Sequence, residues 1–185
     1  GWTRYSSTDE GFAITLPESW RRINIESEEV MLQGLRAIDP DLADSMGERL
    51  RTQLGGAMRF FALDSASLRG TAMAANINVL LQAIDAPASL ETIMSQAVRG
   101  LQSIDSINGE IKSDMVELKS GDAGLLTYKL MVSAADGSAV PTVIRQYIVL
   151  ADGKLLVITL GVAEDRAEEY SAIFDDIASR FELLQ

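Results

Sequence analysis

Turn residues recur at nearly even spacing through the second half of the chain, and no other feature limits the fold as strongly. Ser120-Gly121-Asp122, Ala135-Asp136-Gly137 and Asp152-Gly153 separate four runs rich in apolar residues, at about 110–118, 123–133, 140–150 and 154–162. Glycine and aspartate tolerate the positive φ that tight hairpins require, and the Asp-Gly pair between Leu150 and Leu155 is the strongest such signal. Connections this short cannot return a strand for parallel pairing. Four consecutive antiparallel strands are therefore expected.

The flanks supply the rest of the fold. Arg4-Tyr5-Ser6 and Phe12-Ala13-Ile14-Thr15-Leu16 read as short strands, the second with Phe12, Ile14 and Leu16 on one side. Pro17 cannot donate to a ladder and ends that strand. Trp20 follows a turn-like Glu18-Ser19, and its indole is expected to fold back onto the sheet with its N–H on an acceptor. Arg21 to Ile25 form a third short strand. Ser27 caps a helix through Val30, Met31, Leu35 and Ile38. Asp39-Pro40 opens a second helix, with Asp as cap and Pro in its first turn, and Gly55-Gly56 ends it. Residues 27–54 thus read as a helical pair. Strands follow at Ala57 to Leu63 and Met73 to Gln82. Ser89 then caps a helix closed by Asn108-Gly109, with Leu90, Ile93, Met94, Ala97, Leu101 and Ile104 as its buried stripe. A last helix over 164–180 buries Ala167, Tyr170, Phe174 and Ile177, with Phe181 beyond.

At 185 residues the chain suits a single domain, 1–185, with 27–54 as an elaboration. The fold class expected is α+β: a central antiparallel sheet of about six to seven strands flanked by helices on both faces, an α/β/α sandwich. With 47% hydrophobic and 23% charged residues it reads as a soluble globular protein. The net charge of -11 disfavours nucleic acid and anionic lipid as partners. No apolar run is long enough for a transmembrane segment. The chain begins at Gly1-Trp2, which leads us to expect a mature or tag-cleaved segment whose upstream signal or tether has been removed.

Taken together, several stretches resemble the Mog1/PsbP-like fold and, within it, bacterial exported proteins of unknown function. They are Tyr5-Ser6-Ser7 leading to Gly11-Phe12-Ala13-Ile14-Thr15-Leu16-Pro17-Glu18-Ser19-Trp20; Ser89-Leu90-Glu91; Gly121-Asp122-Ala123-Gly124; Arg145-Gln146-Tyr147-Ile148-Val149 with Leu156-Val157-Ile158-Thr159-Leu160; and Phe174-Asp175-Asp176-Ile177-Ala178-Ser179-Arg180-Phe181. Their order and spacing span most of the chain. The resemblance implies that the strand–Pro–turn–Trp unit starts the sheet and anchors the next strand. It implies no shared activity, because such proteins include a Ran-GTPase-binding protein and photosystem accessory subunits, and no catalytic set comes with the fold.

The chemistry available is narrow. The chain has no histidine and no cysteine, which removes the Ser-His-Asp triad, thiol nucleophiles, and imidazole or thiolate metal sites. Phosphate-binding glycine loops are absent. Asp39, Asp41 and Asp44 suit capping better than calcium ligation. Glu164, Asp165, Glu168 and Glu169 complement a helix dipole. We therefore expect no cofactor, no metal and no enzymatic activity. The function expected is that of an extracytoplasmic accessory or binding module. An intracellular GTPase-binding regulator of the Mog1 kind is the alternative, and a carboxylate-based hydrolase a more distant one. The partner is an unidentified protein or small apolar ligand. Candidate contact residues are Trp20 with the basic doublet Arg21 and Arg22, and Gln33, Arg36, Glu48 and Arg51 on the outer side of the helical pair. That pair is expected to border the main cavity and to pack more loosely than the helix at 89–107.

Overall fold

The computed structural model describes residues 1–51, 56–68, 73–85, 87–134 and 136–184, without the side chains of Ser45 and Arg49. Its centre is a seven-stranded sheet in the order β3-β4-β5-β9-β8-β7-β6, formed by Trp20–Arg22 (β3), Met58–Asp64 (β4), Asn76–Ala83 (β5), Lys112–Leu118 (β6), Gly121–Ser133 (β7), Ala139–Ala151 (β8) and Lys154–Ala163 (β9). Every pairing is antiparallel. The four-strand run forms as its turns dictate. Asp152 (φ 49°) and Gly153 (φ 72°) both take the left-handed conformation that a two-residue hairpin of this twist demands.

The chain's first two strands are not part of this sheet. Trp2–Ser7 (β1) and Phe12–Pro17 (β2) pair with each other and with a two-residue strand, Glu182–Leu183 (β10), in a separate three-stranded sheet. The Pro17–Trp20 turn is thus where the chain leaves one sheet for the other, rather than where a single sheet starts. Pro17 blocks extension of β2, and Trp20 resumes pairing against β4 opposite Asp64.

Alternation within the strands sorts the core into two faces. On one, Phe60, Ile77, Val79, Tyr147, Ile158 and Leu160 meet Phe12, Ile14 and Leu16 of the small sheet and Tyr170, Phe174 and Ile177 of the last helix, Ala167–Ser179 (α4). On the other lie the remaining helices. Glu28–Ile38 (α1) and Pro40–Arg51 (α2) cover Phe61 and Leu63, and Leu90–Gln102 (α3) covers Leu126, Tyr128, Ile144 and Ile148. Between these two helical layers a polar row, Gln146–Thr159–Asn78, crosses the sheet, and Gln146 Nε2 donates to Thr159 Oγ1 at 3.1 Å. The two-faced α+β architecture is as expected, with one amendment: the small sheet shares a face with α4.

The helix caps are those the sequence announces. Ser27 Oγ accepts the Val30 amide at 3.3 Å, Asp39 Oδ1 the Asp41 amide at 2.9 Å, and Ser89 Oγ the Thr92 amide at 3.2 Å. The proposed end of the helical pair, 52–55, lies outside the described residues. Helix α3 stops at Gln102, because Ser103 turns its hydroxyl onto the Gly100 carbonyl, and Ile104 is consequently exposed rather than part of the stripe. One expectation about the helical pair is corrected. It is the more deeply seated element, with Met31, Leu35, Leu42, Ala43, Met46 and Leu50 all buried, whereas α3 buries only Met94 fully. The reason is positional: α1 and α2 sit over an apolar patch of β4, while the stripe of α3 apart from Met94 is only partly buried against the sheet.

Candidate binding cleft

The residues expected to meet a partner are scattered by the fold. Trp20 is 2% exposed and packs in the core, so it presents no surface to a partner. Its Nε1–H has no acceptor among the described residues, contrary to expectation, because the indole is enclosed by apolar side chains. Arg21 and Arg22 are exposed on the edge strand β3, and the Arg22 guanidinium lies 5.5 Å from the Phe60 ring centre. Gln33, Arg36, Glu48 and Arg51 are exposed on α1 and α2. Gln33 Nε2 donates to Glu29 Oε1 at 3.4 Å, and Arg51 Nε pairs with Glu28 Oε1 at 2.7 Å, clasping the end of α2 to the start of α1. These residues lie on the exposed side of the helical pair and on the neighbouring edge strand.

A polar group buried in the core also acts as a brace rather than a site. The Asp64 carboxylate, 4% exposed, accepts the Tyr170 hydroxyl at 2.5 Å and the Ala66 amide at 3.0 Å. Burial, then the bond to Asp64, pushes the Tyr170 phenol well above its ordinary range. The Arg166 guanidinium stacks on that ring at 5.1 Å and pairs with Glu169. Asp64, Tyr170 and Arg166 together fix the N-terminal end of α4 to the end of β4. Among the described residues no group of three or more acidic side chains is arranged to hold a metal ion.

A cleft of about 540 Å³ opens elsewhere, at the seam between the two sheets. Its residues come from four places that the topology gathers at one end of the molecule. Lys119 and Ser120 come from the β6–β7 hairpin, and Ala151, Asp152, Lys154 and Leu156 from the β8–β9 hairpin. Glu10 and Gly11 belong to the β1–β2 turn, and Glu182, Leu183 and Leu184 to the C-terminal segment. In an up-down run alternate turns share an end, which brings the hairpins at 120 and 152 together. The volume lies in the ordinary range of small-ligand sites, about 300–1,000 Å³.

The electrostatics of the cleft are well defined. Glu182 accepts from Lys119 Nζ at 2.6 Å and from Arg4 Nη2 at 2.8 Å. These two cations, Lys119 foremost, hold its carboxyl down at about 2. Glu10 is paired with Arg59 Nε at 3.0 Å. Lys154 has no ion pair among the described residues, and the buried Ser120 Oγ has no hydrogen-bond partner there. Sequence reading took the 120 and 152 segments as turns alone. The signal for more was present in the lysines beside each, Lys119 and Lys154, which an up-down topology brings to the same end of the sheet.

No family model and no curated protein sequence matches this chain. Solved structures do. Cyanobacterial PsbP from Synechocystis sp. PCC 6803 is 16% identical with a TM-score of 0.58, the match covering 98% of this chain and 92% of that one. LpqN of Mycobacterium tuberculosis, described as involved in cell envelope biogenesis, is 12% identical with a TM-score of 0.60, covering 100% and 91%. The Saccharomyces cerevisiae Ran-binding protein Mog1p is 11% identical with a TM-score of 0.55, covering 100% and 96%. The chain therefore has the Mog1/PsbP-like fold.

Proposed function

We propose that this chain of Mog1/PsbP-like fold is a non-enzymatic extracytoplasmic binding or accessory module that holds its ligand in the cleft between the two sheets. One observation carries the reading: the cleft combines a small-ligand volume with groups left uncommitted, the Lys154 ammonium and the buried Ser120 hydroxyl. The chemistry around it favours binding over turnover. Glu182 is ionised at neutral pH and tied to two cations, so it has no proton to give as a general acid. Among the described residues Ser120 has no base bonded to it, and the nearby Lys119 is engaged by Glu182. The likeness to LpqN, a protein of cell envelope biogenesis, supports an extracytoplasmic setting.

The test is amide chemical-shift mapping with a library of small fragments. Binders are expected to perturb Ser120, Gly121, Asp152, Gly153 and Leu183. Perturbations confined to α1, α2 and β3 would overturn the cleft reading. They would favour the second one, a protein-binding regulator using Arg21, Arg22, Gln33, Arg36, Glu48 and Arg51, which the likeness to Ran-binding Mog1p supports. Location is tested separately by fusing the natural reading frame, with whatever precedes Trp2, to a reporter active only after export. A silent reporter would sink the extracytoplasmic assignment.

A further inference from the structure

We propose that the cleft takes a small amphipathic monoanion, with an acid head at Lys154 and Ser120 and an apolar body along Leu156, Leu183 and Leu184. This rests on the cleft being the binding site. The protein as a whole carries a net charge of -11, and the cleft lining holds three carboxylates against two lysines, but two of those carboxylates are already paired with cations. The carboxylates are Glu10, Asp152 and Glu182, and they face Lys119 and Lys154 from the lining and Arg4 and Arg59 from just outside it. Glu182 and Glu10 are already neutralised by partners within 3.0 Å, so a cationic ligand would find only Asp152, at the hairpin tip. An anion finds Lys154 without an ion pair among the described residues.

One spare ammonium matches a single negative charge, not the several charges of a nucleotide phosphate. The Ser120 hydroxyl, without a hydrogen-bond partner among the described residues, adds a second donor to the same lining. Ala151, Leu156, Leu183 and Leu184 supply apolar wall that a purely polar anion would leave uncovered. The long-range repulsion from the acidic surface is screened beyond about 8 Å at physiological salt, so it does not outweigh a direct contact with Lys154.

The test uses three probes on the intact chain, read at the Gly121, Gly153 and Leu183 amides: decanoate, acetate and decyltrimethylammonium. Decanoate is expected to bind at low-millimolar concentration or better, at least about tenfold more tightly than either of the others. Lys154→Gln should weaken decanoate about tenfold, while Lys112→Gln, at the opposite end of β6, should leave it unchanged. Equal binding of the cation, equal binding of acetate, or an unaffected Lys154→Gln variant would each overturn the anion assignment while leaving the cleft as a site. Silence from all three probes would also overturn it. The cleft reading itself falls only if the fragment library perturbs none of these amides either.

Discussion

Asp64 is a carboxylate taken almost wholly out of water, and its cost is offset residue by residue. One oxygen receives the Ala66 amide, the other the Tyr170 hydroxyl. Removing that hydroxyl leaves a buried acceptor unmet, which costs about 1–3 kcal/mol. Tyr170→Phe is therefore expected to lose about that much in urea denaturation at neutral pH, with little change in the slope. A loss below about 0.5 kcal/mol would mean that Asp64 is satisfied by another group. The same bond has an alkaline signature. The folded-state phenol is raised, so its contribution to stability is complete below the unfolded value of about 10 and is lost as pH rises through the higher folded one. Burial raises Tyr128 to about 12, and Tyr147 is raised as well. The absorbance of ionised tyrosine in the folded protein should accordingly lag behind that of the urea-unfolded chain on titration to high pH. Superimposable curves would contradict these environments.

Helix α3 makes one contact with the sheet that depends on a missing side chain. A Cβ at Gly124 of β7 would overlap the sulfur of Met94, the helix's one fully buried residue. Gly124→Ala should force Met94 out of its seat and destabilise the fold by about 1–3 kcal/mol. In a Met94→Ala background the same change should cost markedly less, since the space is already empty. Equal costs in both backgrounds, measured by denaturation, would show that Met94 is not what the glycine accommodates. The stripe of α3 was legible in the sequence because helical periodicity marks it, but its end was not, since Ser103 stops the helix by a side-chain bond that periodicity does not encode. The four strands from β6 to β9 were legible because turn residues fix their order and direction. The division into two sheets was not: the alternation of Phe12, Ile14 and Leu16 says which side is buried and nothing about which strand pairs beside it. The two residues of β10 carry no pattern at all. The cleft inherits that limit, being assembled from hairpin tips and a terminal segment that only the topology brings together.

At the scale of the molecule, the question is what holds a three-stranded sheet against a seven-stranded one. Apolar burial does most of it, with Phe12, Ile14 and Leu16 packed among the core residues of the large sheet. At the rim, Glu182 of β10 binds Arg4 of β1 and Lys119 at the end of β6, so one carboxylate spans the small sheet and the large one. Glu10, in the β1–β2 turn, makes a second tie to Arg59 of β4. Exposed pairs of this kind add little to stability on their own. Glu182 nevertheless leaves a pH signature that can be isolated. Its folded-state carboxyl lies at about 2, below an unfolded value of about 4.3. A depressed carboxyl contributes stability that is present above the unfolded value and is lost as pH falls through the folded one. Glu182→Gln removes the charge and keeps the shape. The difference in urea midpoint between the native chain and this variant should be constant above about pH 5 and shrink steadily toward pH 2. At neutral pH it should also shrink in 1 M salt, where screening acts over about 3 Å. A difference that stays level from pH 6 to pH 2 would mean that Glu182 is not held by its two cations. The seam would then be closed by apolar contact and the Glu10–Arg59 pair, and Lys119 would stand beside Lys154 as a second uncommitted cation of the cleft.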